Sequence, residues 1–279
     1  MEADTAVDIP LLNDRFTPPP LNNITRETGM SLVTTSRQDG IATVTLTHGK
    51  VNALNESTVE DLQSAIDDLR EDDEIRAVVL TGNDKFFSFG LDIPELYDYT
   101  KEGCHRFLVK FTELYTSIFQ CPKPVIASIG GHAIAGGCIL ATACDYRLMV
   151  DNRARIGLNE ITFGSSIFAG SVEMLIYCCG QRNAETVLIS GMMYSASEAL
   201  RLGLVDRVVA AEDLAEETAA IALMYAEKDP GAFTALKALL RSPVVEQMER
   251  CEQESIRAFN DLWYSATVRK NLKGITIRS

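Results

Sequence analysis

Three short apolar runs, 75–81 (IRAVVLT), 125–129 (VIASI) and 146–150 (YRLMV), alternate with segments whose apolar residues recur at helical spacing. Runs that are apolar throughout, rather than every second residue, suit strands covered on both faces. Consecutive strands separated by helices need crossover connections, so the order strand, helix, strand, helix, strand predicts a mostly parallel sheet. Glycines follow the first two runs directly, at Gly82 and Gly130-Gly131. In such a sheet, binding and catalysis gather at the strand-to-helix loops.

Around this centre the other elements fall into place. Segments 31–37 and 41–47 alternate polar and apolar residues about an Asp39-Gly40 turn, as a hairpin does. Residues 56–70 carry Val59, Leu62, Ile66 and Leu69 on one helical face. Asp92-Ile-Pro-Glu95 reads as a capping box with an early proline, so a helix starts there, and helical spacing runs on through 107–119. Gly136-Gly137 open a short helix to about Ala143. Beyond Gly170 the pattern is mostly helical, over 171–178, 183–189, 195–202, 214–227, 231–240 and 244–265. Residues 1–29, polar and proline-bearing, are expected to form a flexible extension, and the resemblance given below implies an α/β core at 30–208 followed by a helical region at 209–279.

Composition excludes more than it selects. With 279 residues, 46% of them hydrophobic, the chain is long enough for one large core. A net charge of −13 argues against non-specific nucleic-acid binding, and no apolar run approaches the ~20 residues of a membrane span. Seven scattered cysteines without a CxxC pair, and three histidines, point to reduced thiols and no metal site. No basic-then-apolar leader precedes the core, so a cytoplasmic location is expected.

Chemistry is suggested by one carboxylate and two glycine-bearing loops. Glu160 lies among Ile156, Leu158, Ile161 and Phe163, an apolar setting that raises a carboxyl pKa towards neutrality and suits a general base. Gly90, in Phe87-Ser-Phe-Gly-Leu-Asp92, lets the chain turn out of a strand and present the Leu91 amide. Gly136-Gly137 stand at a helix start, where the first amides lack partners and the dipole favours an anion. Two such amides aimed at one oxygen would stabilise an enolate. Tight turns and close helix packing account for the same glycines equally well. Asn159 could orient a carbonyl or simply serve the turn, and capping already explains Asp92 and Glu95. Glu113 and Glu173 remain open as further acids, and His132 beside the glycine loop is tempting as a base, though the resemblance given below implies that it is structural.

Val51-Asn-Ala-Leu-Asn55, Phe87-Ser-Phe-Gly-Leu-Asp92, Ala135-Gly-Gly-Cys138 with Cys144-Asp-Tyr-Arg147, and ALRLGLVDRV at 199–208 together resemble the crotonase (enoyl-CoA hydratase/isomerase) superfamily, from about Ser31 to residue 265. Within it, Gly157-Leu-Asn-Glu160 and the following Ile161-Thr-Phe-Gly164 look most like the Δ3,Δ2-enoyl-CoA isomerases. The resemblance implies an α/β fold with a ββα spiral core of mostly parallel sheets, followed by a C-terminal helical region for trimerisation or closing the site. It implies that the amides of Leu91 and Gly136 form an oxyanion hole and that Glu160 is the catalytic base. Hydratases of the superfamily carry a second glutamate directly after Gly-Gly-Cys, and here that position is Ile139. Hydration calls for two carboxylates, one for the water and one for the proton, whereas moving a double bond needs only one.

The same resemblance implies an acyl-CoA substrate lined by Ala53, Phe89, Gly90, Asp92, Ile93 and Asn159, with no metal and no redox cofactor. Phe89, where relatives have a small residue, is expected to reshape the acyl channel. Lys50, Lys237 and Arg241 are candidates for the CoA phosphates, and Phe259 and Trp263 for closing the site. A homotrimer or a pair of trimers is expected. The expected reaction converts a 3-enoyl-CoA into the trans-2-enoyl form. The rivals are a hydratase or another enolate-forming enzyme, and a CoA-binding protein without chemistry.

Overall fold

The computed structural model describes residues 31–273; the extension expected at 1–29 lies outside them. Strands β1 (Val33–Gln38) and β2 (Ile41–Leu46) form the expected hairpin. Asp39 (φ 50°) and Gly40 (φ 76°) take the two left-handed positions of its two-residue turn. After β3 (Ala53–Leu54), helix α1 (Glu56–Glu71) begins where the Asn55 side chain accepts the Thr58 N–H at 2.9 Å. It buries Val59, Leu62, Ile66 and Leu69, the face its spacing predicts. The chain continues through β4 (Ala77–Thr81), β5 (Phe86–Ser88), β6 (Gly90–Leu91), α2 (Ile93–Asp98), α3 (Lys101–Gln120), β7 (Val125–Ile129), β8 (His132–Ile134), α4 (Gly136–Ala143), β9 (Tyr146–Val150) and β10 (Ile156–Gly157). A 3-10 turn at Glu160–Phe163 then leads into α5 (Ala169–Ser190), α6 (Ala196–Leu202), β11 (Arg207–Val209), α7 (Leu214–Ala226), α8 (Pro230–Trp263) and α9 (Ala266–Leu272).

Six strands form the main sheet, in the order β1-β2-β4-β7-β9-β11. Only the β1–β2 pair is antiparallel; the other four pairings are parallel, as the apolar runs require. Ile221 and Ala222 of α7 cover one face, over Ile41, Ala77, Val79, Ile126 and Leu148. The larger core lies on the other face, where α1 and α3 pack. A second, three-stranded sheet, β10-β8-β5, and the β3–β6 pair stand beside it, all in parallel pairs. This is the predicted α/β spiral with a helical C-terminal region. Among the described residues no helix is long and apolar enough to cross a membrane.

Two expectations need correction here. The proposed helices 231–240 and 244–265 are one helix, α8, running through Pro243. A proline inside a helix costs ~3 kcal/mol and one hydrogen bond, but burial of Arg241 before it and of Val245 and Met248 after it holds both halves on the core. Lys237 and Arg241 are not placed to meet phosphates, because both are buried against Asp145. Lys237 Nζ lies 2.6 Å from Asp145 Oδ2, and an Arg241 guanidinium nitrogen lies 2.9 Å from Oδ1. The Val125 N–H donates to the same carboxylate at 2.7 Å, and the Arg241 guanidinium sits 4.1 Å from the centre of the Phe119 ring. This cluster fastens the first third of α8 to the start of β7. Elsewhere, α5 is broken at Gly180 (φ 74°, ψ 158°), which separates the two helical stretches expected there.

Removing Asp145 would leave two cations buried without a counter-charge. Asp145→Ala is expected to destabilise the fold by about 3–5 kcal/mol in chemical denaturation, with Asp145→Glu losing much less.

Candidate active site

A cavity of about 260 Å³ opens between the β6–α4 junction, the 3-10 turn and the end of α8. Its wall combines Leu91, Ile93, Ile134, Gly136 and Ile139 with the aromatic side chains Phe89, Phe111, Phe163, Phe168, Phe259 and Trp263. Asn159 and Glu160 supply its polar side chains, and among the described residues Glu160 is the one carboxylate in the wall.

The β6–α4 junction is shaped by what cannot carry a side chain. Gly90 has φ 92°, and a Cβ there would stand 2.8 Å from Ile134 O and 2.9 Å from Gly136 N. The strand carrying Leu91 is thereby pressed against the first amide of α4. At Gly137 a Cβ would lie 2.4 Å from Ser88 O, so only glycine lets α4 pack this close to β5. Ala135 precedes α4 at φ 50°, ψ −117°, a costly conformation for a residue with a Cβ, and gives the helix no side-chain cap. The first α4 amides thus lie at a positive dipole end without a side-chain cap, and Gly136 is part of the cavity wall.

Glu160 opens the 3-10 turn, and the turn is pinned from outside. The Ser165 N–H donates to Glu160 O at 3.0 Å, Gly164 closes the turn at φ 91°, and Asn271 Nδ2 of α9 donates to Phe163 O at 3.1 Å. The Glu160 side chain is 9% exposed, and its Oε2 has no hydrogen-bond partner. Burial lifts the carboxyl to about 7, against a small opposing effect of its own backbone N–H. Among the described residues no cation offsets the burial. At neutral pH it is thus divided between acid and base.

The expected site residues separate into two groups. Glu160, Leu91, Gly136, Phe89, Ile93 and Asn159 meet in the cavity wall, and Ile139, the position where a second acid was sought, lines the same wall. Phe259 and Trp263 also reach it from α8, as expected. Ala53 and Gly90 lie behind the wall in the β3–β6 pair. Asp92 accepts the Glu95 N–H at 3.1 Å and caps α2, while Glu95 accepts from Asn55 and Tyr99; neither acid lines the cavity. Glu113 stands in a groove between α1, α3 and α8 on the outside, and Glu173 is on α5 away from the wall. His132 Nδ1 accepts the Arg155 N–H at 3.1 Å while its ring packs on Phe86 at 5.2 Å; burial and Arg155 lower its pKa, in keeping with a structural part. Lys50 is exposed at the β2–β3 turn. The wall residues that sequence reading missed are Phe111, Ile134 and Phe168. Phe107 and Phe111 at helical spacing were the one available signal; nothing local marks Phe168.

The sequence profile of the enoyl-CoA hydratase/isomerase family matches residues 36–277. A mitochondrial enoyl-CoA delta isomerase 1 of Mus musculus is 28% identical over 243 residues, covering 86% of this chain and 84% of its own. A mitochondrial enoyl-CoA hydratase of Pongo abelii is 31% identical over 223 residues, covering 80% of this chain and 74% of its own. Among solved structures, human mitochondrial Δ3-Δ2-enoyl-CoA isomerase superposes with a TM-score of 0.83 at 26% identity, over 87% of this chain and 95% of that one. An enoyl-CoA hydratase from Bacillus halodurans superposes with a TM-score of 0.81 at 25% identity, over 88% and 100%.

A carboxyl whose pKa is raised by folding favours the folded state while protonated. That contribution is whole below the unfolded value near 4.5 and fades as pH rises through about 7. Glu160→Gln, which stays neutral, is therefore expected to exceed the wild type in stability by roughly 2–4 kcal/mol at pH 8. The gap should shrink towards zero near pH 5 in guanidinium melts.

Proposed function

This chain is a member of the enoyl-CoA hydratase/isomerase family, and we propose that within it the chain is an isomerase that converts 3-enoyl-CoA into trans-2-enoyl-CoA. The observation that carries the reading is that, among the described residues, the wall holds a single carboxylate, Glu160, and has Ile139 where a second acid would be needed. The substrate thioester oxygen rests against the amides of Leu91 and Gly136. Glu160, ionised, takes a proton from C2, and the C2–H electrons spread into the C3=C4 bond and the thioester carbonyl. The dienolate oxygen is held by the two amides, where losing one donor typically costs ~10²–10³ in rate. Glu160 then returns the proton to C4, leaving the double bond between C2 and C3. No atom is gained or lost, and no second acid is needed.

The apolar wall serves this chemistry by keeping water from the dienolate and by holding the carboxyl near the pKa at which it can both take and give a proton. Phe89 narrows the approach, which bears on chain shape rather than on reaction type. The CoA head is outside the cavity, and Lys50 is the remaining candidate for its phosphates. A hydratase reading has support in the hydratase relatives, but it needs a water-activating partner for Glu160 that the wall does not supply.

With 3-enoyl-CoA, appearance of the conjugated thioester absorbance reports turnover. Glu160→Gln is expected to lose about 10²–10⁴ in kcat while still binding the CoA ester. For the wild type, kcat/KM should climb tenfold per pH unit and level off near pH 7, as Glu160 ionises. Unchanged turnover in the variant would remove Glu160 from the chemistry. Steady loss of absorbance from 2-enoyl-CoA would instead establish hydration.

A further inference from the structure

The cavity wall is graded in depth. Phe89, Leu91, Ile93, Ile134 and Phe163 keep part of their surface exposed and mark its mouth. Phe111, Phe168, Phe259 and Trp263 are at most 2% exposed and close it at the back. These four rings form a continuous row. Phe111 meets Phe168 at 6.1 Å, Phe168 meets Phe259 at 4.8 Å, and Phe259 stacks on Trp263 at 5.8 Å. The row begins beside the reacting centre, since a Cβ on Gly136 would stand 3.3 Å from Phe111 Cζ.

The row is held from behind. Directly after Phe168, the Ala169 N–H donates to Ser255 Oγ at 2.9 Å and the Gly170 N–H to Glu252 Oε2 at 2.5 Å, both on α8. Tyr115 O–H donates to the other Glu252 oxygen, and the Tyr115 ring packs edge-on against Phe111 at 5.6 Å. One residue beyond Trp263, Tyr264 O–H donates to Tyr99 O at 2.6 Å. Moving the back wall aside would break these bonds or open a void, and a close-packed interior resists both. The cavity therefore has a fixed end, and its volume limits what can enter.

That volume is about 260 Å³. A methylene takes up about the room of a water molecule, roughly 30 Å³, so the space holds about nine such groups. The thioester oxygen is one of them, which leaves room for about eight carbons. We propose that this site takes acyl-CoA esters of up to about eight carbons, and that Phe168, in the middle of the aromatic row, sets the limit. A longer chain meets the rings ahead of it and cannot turn back through a mouth that the thioester already occupies. Phe168 is then a specificity residue for chain length.

The inference rests on the acyl-CoA reading of the site but not on isomerisation, so its test uses binding alone. Saturated acyl-CoA esters from butanoyl to dodecanoyl, which cannot isomerise, are titrated into the full-length protein by calorimetry. Affinity is expected to rise about three- to fourfold per methylene as far as octanoyl. From octanoyl to dodecanoyl it is expected to fall about tenfold or more. Phe168→Ala, which deletes the ring, should move the turning point to decanoyl or beyond, and its retained affinity for hexanoyl-CoA shows that it is folded. Phe168→Leu, a milder change, should shift the balance between octanoyl and decanoyl in the same direction. An affinity that rises or holds level through dodecanoyl in the wild type would overturn the limit. An unmoved turning point in both folded variants would overturn the role of Phe168. Binding of no ester at any length would instead overturn the acyl-CoA reading itself, and the limit with it.

Discussion

A carboxylate buried without a counter-charge is the constraint on which the rest of this structure depends. Taking Glu160 out of water with no cation beside it costs stability wherever it is ionised. A surface glutamate would relax away from such a place. Here the 3-10 turn is closed by Gly164, tied back through Ser165 and braced by Asn271 of α9, so the side chain stays in an apolar chamber. The same burial that weakens the fold raises the proton affinity of the carboxyl proposed as the base. Stability and reactivity therefore pull on one residue in opposite directions.

The chamber exists because elements distant in sequence are fastened to one another by polar contacts outside it. Asp145 holds Lys237 and Arg241 of α8 at the sheet, outside the cavity wall. Glu252 and Ser255, further along α8, cap α5. The last turns of the same helix then carry Phe259 and Trp263 into the wall. A single helix thus links the sheet to the cavity, and Pro243 is tolerated within it because packing on both sides outweighs the lost hydrogen bond.

The sheet was legible in the sequence because its central strands are apolar on both faces, α1 because of its helical spacing, and α2 because its cap is a local signal. The two- and three-residue strands β3, β6, β8, β10 and β11 were not, since pairing partners define them and periodicity does not. Glu160 and the glycines at 90 and 136 could be found, as each departs from its surroundings in polarity or size. Lys237 and Arg241 misled for the converse reason: charge is visible in a sequence, but the aspartate that neutralises it, about ninety residues away, is not. Phe168 was invisible because its place in the wall comes from the packing of α8 on α5.

The central claim is that one carboxylate carries a proton between two carbons without water. Following deuterium from C2 of a labelled 3-enoyl-CoA tests it most directly. A single shuttle in a dry cavity predicts that a measurable share of the label reappears at C4 of the trans-2-enoyl product, and that Glu160→Gln abolishes both transfer and turnover. A C4 hydrogen drawn wholly from solvent, with transfer or turnover surviving in the variant, would contradict it.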